Sequence, residues 1–180
     1  MTFLEKELED FVFDLMIDYG PEECRERGFY DCKDTTMYIR QLNLGSYGIA
    51  DIIGFDLDMN KDLHLYGKIQ VFELKKQHIN SATFFQALRY VKGIKRYLKE
   101  VHSCNTMDIS FEVVLIGTEI DSNSPFIYLG DIFKSVKLYT VDFDPLNGIN
   151  FKKHERYCII EEDFPELDCL LTDIIRLDHD

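Results

Sequence analysis

Apolar residues recur at helical spacing in two segments of the chain. The first segment predicts a helix over residues 3–17, which Gly20-Pro21 ends. The second segment predicts a helix that Asn80 or Ser81 caps and that runs to about Val101. The residues expected to form the two buried stripes are Leu4, Leu8, Phe11 and Leu15 in the first helix, and Phe84, Leu88, Val91, Leu98 and Val101 in the second.

Shorter apolar runs predict the strands of a sheet. A strand–helix–strand path favours a right-handed parallel crossover, so we expect the strands on either side of the second helix to be parallel. With no repeat and no linker, the sequence predicts one α/β domain over residues 1–180, in which helices flank a central mixed β-sheet. The predicted elements are strands over 37–44, 49–55, 66–74 and 109–117, a turn over 56–62, a loop or short helical turn over 21–35, a short helix and a strand over 126–143, a hairpin element over 149–160 and an acidic helix within 161–180.

Three charged residues stand out within the apolar strands. Asp51 interrupts the 49–55 run, and Glu73 and Lys75 lie two apart on the next strand, so their side chains point the same way. If the two strands pair as a hairpin, Asp51 lies beside Glu73. Adjacent carboxylates repel each other, and a divalent cation such as Mg²⁺ offsets the repulsion. A nearby lysine whose pKa is lowered could then hold or help deprotonate a metal-bound water. A solvated salt bridge on an exposed strand pair is the alternative explanation.

Three short motifs follow one another along the first half of the chain. The motifs are Gly48-x-x-Asp51, Glu73-x-Lys75 and Gln86-x-x-x-Tyr90. In this order they resemble the PD-(D/E)XK nuclease superfamily, within it the RecB-type branch, over roughly residues 3–117. The N-terminal helix and Arg40-Gln41 are also similar to NucS-like endonuclease domains. Ala50 stands where the family has proline. The resemblance implies a restriction-endonuclease-like core and a deoxyribonuclease that uses Mg²⁺ or Mn²⁺.

The resemblance also implies roles for individual residues. Asp51 and Glu73 would bind the metal, with the backbone carbonyl of Leu74 as a third ligand, and Lys75 would position the attacking water. Gln86 would complete the catalytic set, and Gln86 and Tyr90 would touch the metal shell or the nucleic acid. The first helix would add one more carboxylate, from Glu5 or, one turn later, Glu9. Capping of that helix, through Thr2 and Glu5, is the competing explanation for Glu5.

The charge of the chain is very unevenly distributed. The net charge is −13, but residues 68–99 hold eight basic residues and one acidic residue, or 8 − 1 = +7, which leaves −20 for the rest. A positive strip beside the site fits local contact with nucleic acid, whereas a solvated lysine face is the alternative. Tyr90 could stack on a base or be buried with its hydroxyl satisfied. Gly93 could allow close approach of a backbone or a substrate, or be a helix irregularity. The candidate nucleic-acid-binding residues are Lys76, Arg89, Tyr90, Lys92, Lys95 and Arg96.

The expected partner is therefore DNA, with single-stranded or branched DNA favoured over a sequence-specific duplex. The acidic C-terminal helix could hold a protein partner. No apolar run is long enough for a membrane span, and we expect a cytoplasmic protein. Five cysteines without Cys-x-x-Cys signal neither a disulfide framework nor a zinc or iron–sulfur site. The rival functions are a nucleic-acid-binding or scaffold protein that keeps the fold without turnover, and an acidic interaction protein.

Overall fold

A computed structural model of the chain describes residues 5–61, 64–101, 108–121, 135–144 and 148–154. These residues form three α-helices around one six-stranded sheet. Helix α1 continues into a π-helical turn, Leu15–Tyr19, and a short 3₁₀ turn, Gly45–Tyr47, precedes the second strand. The helices are α1 (Glu5–Asp14), α2 (Gly20–Glu26) and α3 (Ser81–Val101), and the strands are β1 (Met37–Asn43), β2 (Ile49–Met59), β3 (Leu65–Ile79), β4 (Ile109–Ile120), β5 (Val136–Asp144) and β6 (Gly148–His154).

The six strands lie in the sheet in chain order, and their directions make the sheet mixed. Strands β1, β2 and β3 pair antiparallel, β3, β4 and β5 pair parallel, and β5 and β6 pair antiparallel. Helix α3 is the crossover between the parallel strands β3 and β4, as the sequence predicted. The predicted hairpin of β2 and β3 is also confirmed. The α/β class with a central mixed sheet flanked by helices is therefore confirmed.

Each face of the sheet carries its own apolar core. On one face, Leu8 and Val12 of α1 pack with Phe72 and Leu74 of β3. On the other face, residues of α3 pack with strands β2 to β5. Full burial of such a side chain contributes about 1.5–3 kcal/mol, so both helices are held to the sheet mainly by apolar contact. The two layers fix α1 and α3 on opposite sides of the strands that carry Asp51 and Glu73.

The buried stripe of α3 differs from the predicted one. Leu88 is 38 % exposed, whereas Ala87 and Ile94 are buried beside Phe84 and Val91. The predicted stripe has Leu88 where the observed stripe has Ala87. Neighbouring residues point about 100° apart around a helix. Ala87 belongs to the apolar core that α3 forms with the sheet. Leu88 was therefore wrongly predicted to be part of the core.

Strands β2 and β3 are both longer than predicted, so the turn between them is shorter. Asp56 and Asp58 lie in β2 and not in the turn. Partners on neighbouring segments hold both side chains: Lys33 Nζ is 3.2 Å from Asp56, and the Tyr66 hydroxyl donates to Asp58 at 2.9 Å. These contacts offset the low strand propensity of aspartate. At its other end, β3 continues past the predicted Leu74 to Ile79.

Several other predicted features can be compared with the structure. Helix α2 begins at Gly20 and covers the start of the 21–35 segment, and Asn80 caps α3 by accepting a hydrogen bond from the Thr83 backbone nitrogen at 3.2 Å. Strand β6 covers the described part of the hairpin element predicted over 149–160, and it pairs antiparallel with β5, which lies before that element. The Thr2 cap, the short helix before β5 and the acidic helix within 161–180 lie outside the described residues. Among the helices of the described ranges, each is too short or too polar to cross a bilayer.

Candidate active site

Asp51 lies at the point where the backbone pairing of β2 and β3 begins. The first backbone pair of the two strands joins Ile52 and Phe72, one residue beyond Asp51. The Leu74 backbone nitrogen donates instead to Asp51 Oδ2, at 2.8 Å. The Asp51 carboxylate thus replaces a backbone acceptor at this end of the hairpin. This contact fixes Asp51 relative to the strand that carries Glu73 and Lys75.

Glu73 is a fully buried carboxyl group, with 0 % of its surface exposed. Lys75 Nζ lies 2.7 Å from Glu73 Oε1, which confirms that the two side chains point the same way. Neither carboxyl oxygen of Glu73 has a well-formed hydrogen bond within the described residues, so its contact with Lys75 is an ion pair. Burial and then the charge of Asp51 raise the pKa of Glu73 to about 8, although Lys75 opposes the shift. This site therefore destabilises the ionised form of Glu73.

Lys75 remains a cation in this environment. Its Nζ contacts Glu73 and lies 3.4 Å from Glu5 Oε1. Burial lowers the pKa of Lys75, but the contact with Glu73 and the charges of Glu5 and Asp51 outweigh burial and raise it. Deprotonation of water by Lys75 would need a lowered pKa, and the surrounding carboxylates act in the opposite direction. Lys75 can instead donate hydrogen bonds to a water or a phosphate oxygen.

Glu9 and Gln41 form a second polar contact that the sequence did not signal. Glu9 is 7 % exposed, and Gln41 Nε2 donates to Glu9 Oε2 at 2.6 Å. Gln41 has a φ of +52°, which is uncommon for a residue other than glycine. Burial and then the charge of Asp51 raise the pKa of Glu9, whereas the Gln41 bond opposes the shift. The electrostatic effect on Glu9 indicates that Glu9 and Asp51 share one environment.

The donor set can be tested against the metal that the resemblance implies. Asp51 and Glu73 are two crowded carboxyl groups, and the oxygens of Glu73 lack well-formed hydrogen bonds. Mg²⁺ commonly binds one or two protein carboxylates and keeps several waters, so this pair fits a divalent cation. Within the described ranges, no three histidine, cysteine or acidic side chains are grouped as ligands of one ion. Glu5 and Glu9 are therefore near the pair without being grouped with it as ligands of one ion in the described residues, and their role as ligands stays a prediction.

Gln86 and Tyr90 share a face of α3 and contact each other. Gln86 Nε2 donates to the Tyr90 hydroxyl at 2.8 Å, and Tyr90 is only 2 % exposed. The structure thus supports the second explanation for Tyr90, a buried ring with a satisfied hydroxyl. A Cβ atom added to Gly48 would lie 3.1 Å from Tyr90 Cε1. Tyr90 therefore packs under the entry to β2, and its ring offers no open face to a base.

The predicted nucleic-acid-binding cations occupy different surroundings. Lys92 is exposed, whereas Lys95 Nζ lies 4.6 Å from the centre of the Phe111 ring. The Arg96 Nε lies 2.8 and 2.9 Å from the two Glu100 oxygens, and Nη1 donates to the Tyr47 hydroxyl at 3.3 Å. Arg96 is thus already engaged, and Lys95 packs on strand β4. The basic segment is not one uniform surface.

Arg89 and Gly93 are explained by what approaches α3. Arg89 Nη2 would lie 3.1 Å from a Cβ atom added to Gly48, so Arg89 reaches the turn that leads into β2. A Cβ atom at Gly93 would lie 2.8 Å from Tyr47 Cγ. Gly93 therefore allows a close approach, but the approaching group is the Tyr47 side chain and not the backbone or substrate that was predicted.

A cleft of about 380 Å³ opens at the end of β3 and the start of α3. Lys76, predicted to bind nucleic acid, lies on the wall of the cleft. Glu5 and Lys75 also line the cleft, so the cleft lies next to the carboxylate pair. Neither Asp51 nor Glu73 lines the cleft, which agrees with the burial of Glu73. The residues that line it are Glu5, Lys75, Lys76, Gln77, His78 and Asn80.

The chain was also compared with known proteins. No family model matches the sequence, and no curated protein matches it. A solved structure of a repair endonuclease from Pyrococcus abyssi is similar over 77 % of this chain, with 17 % sequence identity and a TM-score of 0.41. The chain spans about half the length of that protein, 47 %. A likeness at this level establishes no shared activity, so the geometry of the site must support any function assigned to this chain.

Proposed function

We propose that this protein is a metal-dependent nuclease that hydrolyses phosphodiester bonds in DNA. The observation that carries the proposal is the convergence of Asp51, Glu73 and Lys75. A hydrogen bond holds Asp51 to the backbone of β3, Glu73 is fully buried two residues before Lys75, and the Lys75 ammonium is 2.7 Å from Glu73. An exposed salt bridge, the simpler explanation, does not place one of its carboxylates at 0 % exposure.

Asp51 and Glu73 would hold a divalent cation, Mg²⁺ or Mn²⁺. Burial raises the pKa values of both carboxyl groups, and the charge of Asp51 raises that of Glu73 further, so a cation that binds their ionised forms would relieve an existing cost. When bound, such an ion would supply charge stabilisation at the phosphate and lower the pKa of a bound water. The Leu74 carbonyl, Glu5 and Glu9 are the candidates for further ligands.

Lys75 would orient the attacking water or a phosphate oxygen. As a cation beside Glu73 and Glu5, it can donate hydrogen bonds that strengthen as negative charge develops at the phosphate. Gln86 would support the site from α3, since its amide nitrogen holds the Tyr90 hydroxyl and Tyr90 packs under Gly48. Lys76, on the wall of the adjoining cleft, would contact the phosphate backbone.

The proposal is tested by cleavage of a labelled panel of single-stranded, duplex, flap and junction DNA, together with RNA, in Mn²⁺. Lys75→Ala should reduce cleavage by at least about 100-fold, in line with the loss of a group that stabilises transition-state charge. Lys68→Ala is the matched control because Lys68 is also on β3 and its Nζ is 2.9 Å from Glu112 Oε1. The cleavage rate of Lys68→Ala should stay near that of the wild type.

Two outcomes would overturn the proposal. Folded wild type that cuts no member of the panel would favour the rival binding or scaffold role. Cleavage that survives in Lys75→Ala would place the chemistry elsewhere or identify a contaminating nuclease. The preferred panel member would also distinguish unpaired from duplex DNA.

A further inference from the structure

The solvent face of α3 carries five residues in one narrow line. At about 100° per residue, these positions fall within about 80° of arc around the helix axis. All five are exposed, and none of them is acidic. We call this line the α3 strip; its members are Phe85, Arg89, Lys92, Arg96 and Lys99.

The first member of the α3 strip is an exposed aromatic ring. Phe85 is 63 % exposed, whereas its neighbour Phe84 is 5 % exposed and belongs to the core. Phe84 already anchors this turn of the helix, so the fold does not require an aromatic residue at position 85. A single exposed apolar residue is ordinary on a protein surface. The significance of Phe85 therefore depends on its neighbours and its position.

The neighbours of Phe85 on the α3 strip are cations in an otherwise acidic protein. Helix α3 contains no acidic residue before Glu100. Lys92 has no ion-pair partner among the residues that the structure describes. Arg89 lies beside the Tyr90 ring, with its guanidinium carbon 5.7 Å from the ring centre. Positive charge beside an exposed aromatic ring is the combination that binds single-stranded nucleic acid.

The α3 strip also begins next to the proposed site. Asn80 lines the cleft, and Phe85 lies five residues further along the chain, about 7.5 Å along the helix axis. Gln86, which supports the site, directly follows Phe85. Arg89 reaches Gly48, three residues before Asp51. A DNA strand bound at the carboxylate pair would therefore find the basic residues of the α3 strip close to it on this helix.

We propose that the α3 strip binds single-stranded DNA, with Phe85 stacking on an unpaired base and Arg89 and Lys92 binding the flanking phosphates. This inference deepens the proposed nuclease function and rests on it for the identity of the substrate. An unpaired base can leave its neighbours and present its face to Phe85, whereas a duplex base is already stacked on both sides. Phe85 thus takes the stacking role that the buried Tyr90 cannot fill.

Fluorescence anisotropy of a labelled oligothymidylate tests the inference with the full chain in EDTA, so that no strand is cut. Phe85→Ala should weaken binding at least about 5-fold, the lower range for loss of one base–aromatic stack. An oligonucleotide with abasic positions should bind wild type about as weakly as it binds Phe85→Ala. Binding of the same length of duplex should change little. Equal oligothymidylate affinity of wild type and Phe85→Ala, or an equal loss for both DNA forms, would overturn the inference.

Two control variants separate stacking from charge and from general surface effects. Tyr19→Ala removes an aromatic residue that is 67 % exposed, at the end of the π-helical turn, and should leave binding unchanged. Lys92→Ala should weaken single-stranded and duplex DNA alike and lower the slope of log affinity against log salt by about 0.7–0.9. An unchanged slope would remove Lys92 from the phosphate contacts that the inference assigns.

Cleavage is a separate readout, so the two proposals can fail independently. Wild type that binds through Phe85 but cuts no substrate would overturn the nuclease activity and keep the binding surface. Wild type that cuts the panel but binds with the same affinity after Phe85→Ala would keep the activity and overturn the surface.

Discussion

The Leu74 backbone nitrogen donates a hydrogen bond to the Asp51 carboxylate at 2.8 Å, in place of a backbone carbonyl of the neighbouring strand. This contact stabilises the ionised form of Asp51, although burial outweighs it and raises the pKa of Asp51. Because Leu74 directly follows Glu73, the same bond fixes the two carboxylates relative to each other. The two carboxylates are thus held in place in surroundings that disfavour their negative charges, and a bound cation would offset that cost.

Divalent cations should therefore stabilise the folded protein. At about a hundredfold excess over the dissociation constant, binding to one site should raise the Tm by about 5–10 °C. Asp51→Asn keeps a side-chain acceptor for the Leu74 nitrogen but removes the charge, so its Tm should respond much less to Mn²⁺. Differential scanning fluorimetry with and without Mn²⁺, with an EDTA reversal, measures both. An equal shift in wild type and Asp51→Asn would place the bound ion outside the carboxylate pair.

Glu73 should make the metal-free protein less stable as the pH rises. Its folded pKa, about 8, is above the ordinary value of 4.5, so the folded state binds the proton more tightly than the unfolded state. The contribution of Glu73 to the free energy of unfolding is therefore highest below about pH 4.5 and falls as the pH rises to about 8. The complete loss is on the order of 5 kcal/mol. Glu73→Gln should remove that loss and raise the free energy of unfolding at pH 8.

Urea unfolding of the metal-free protein between pH 5 and 9 measures this effect. The gap between Glu73→Gln and wild type should widen with pH, and cleavage in Mn²⁺ should be lost in the variant. Glu26→Gln is the matched control at an exposed position of α2. A gap that stays constant over the pH range would contradict a raised pKa at Glu73.

Gln41 should show a reversed preference between alanine and glycine. Alanine is ordinarily better than glycine in a strand, but the φ of +52° at Gln41 costs a non-glycine residue about 1–2 kcal/mol. Both substitutions remove the hydrogen bond to Glu9 and should destabilise the fold by about 1–3 kcal/mol. Gln41→Gly should lose about 1 kcal/mol less than Gln41→Ala in urea unfolding. Greater stability of the alanine variant would mean that Gln41 is not strained in solution.

Gly48 should not tolerate a side chain, whereas Gly45 should tolerate one better. Gly48 has a φ of +102°, and an added Cβ would lie 3.1 Å from both Arg89 Nη2 and Tyr90 Cε1. Gly45 has a φ of +62° and open space around the same atom. Gly48→Ala should therefore cost about 1–3 kcal/mol more than Gly45→Ala in urea unfolding. Equal losses would show that Tyr90 and Arg89 move away without cost.

Residue patterns alone were enough to predict how the core of the site is built. The period-two pattern placed Glu73 and Lys75 on one side of a strand, and the turn signal between the two apolar runs predicted the hairpin, although Asp56 and Asp58 lie in β2 itself. Both inferences depend only on backbone geometry that any strand shares. For the same reason, the crossover rule predicted that β3 and β4 are parallel.

Tertiary packing decided what periodicity left open. The adjacent residues Phe84 and Phe85 are equally apolar in sequence. Packing against the sheet buries Phe84 and leaves Phe85 exposed. Likewise, the pKa of Lys75 depends on three carboxylates that come from α1, β2 and β3, which only the fold brings together. The φ of Gln41 has no sequence signal because glutamine usually avoids that conformation. The sequence by itself therefore determined which residues share a strand or helix, whereas the packing of those elements determined burial, strain and charge at the site.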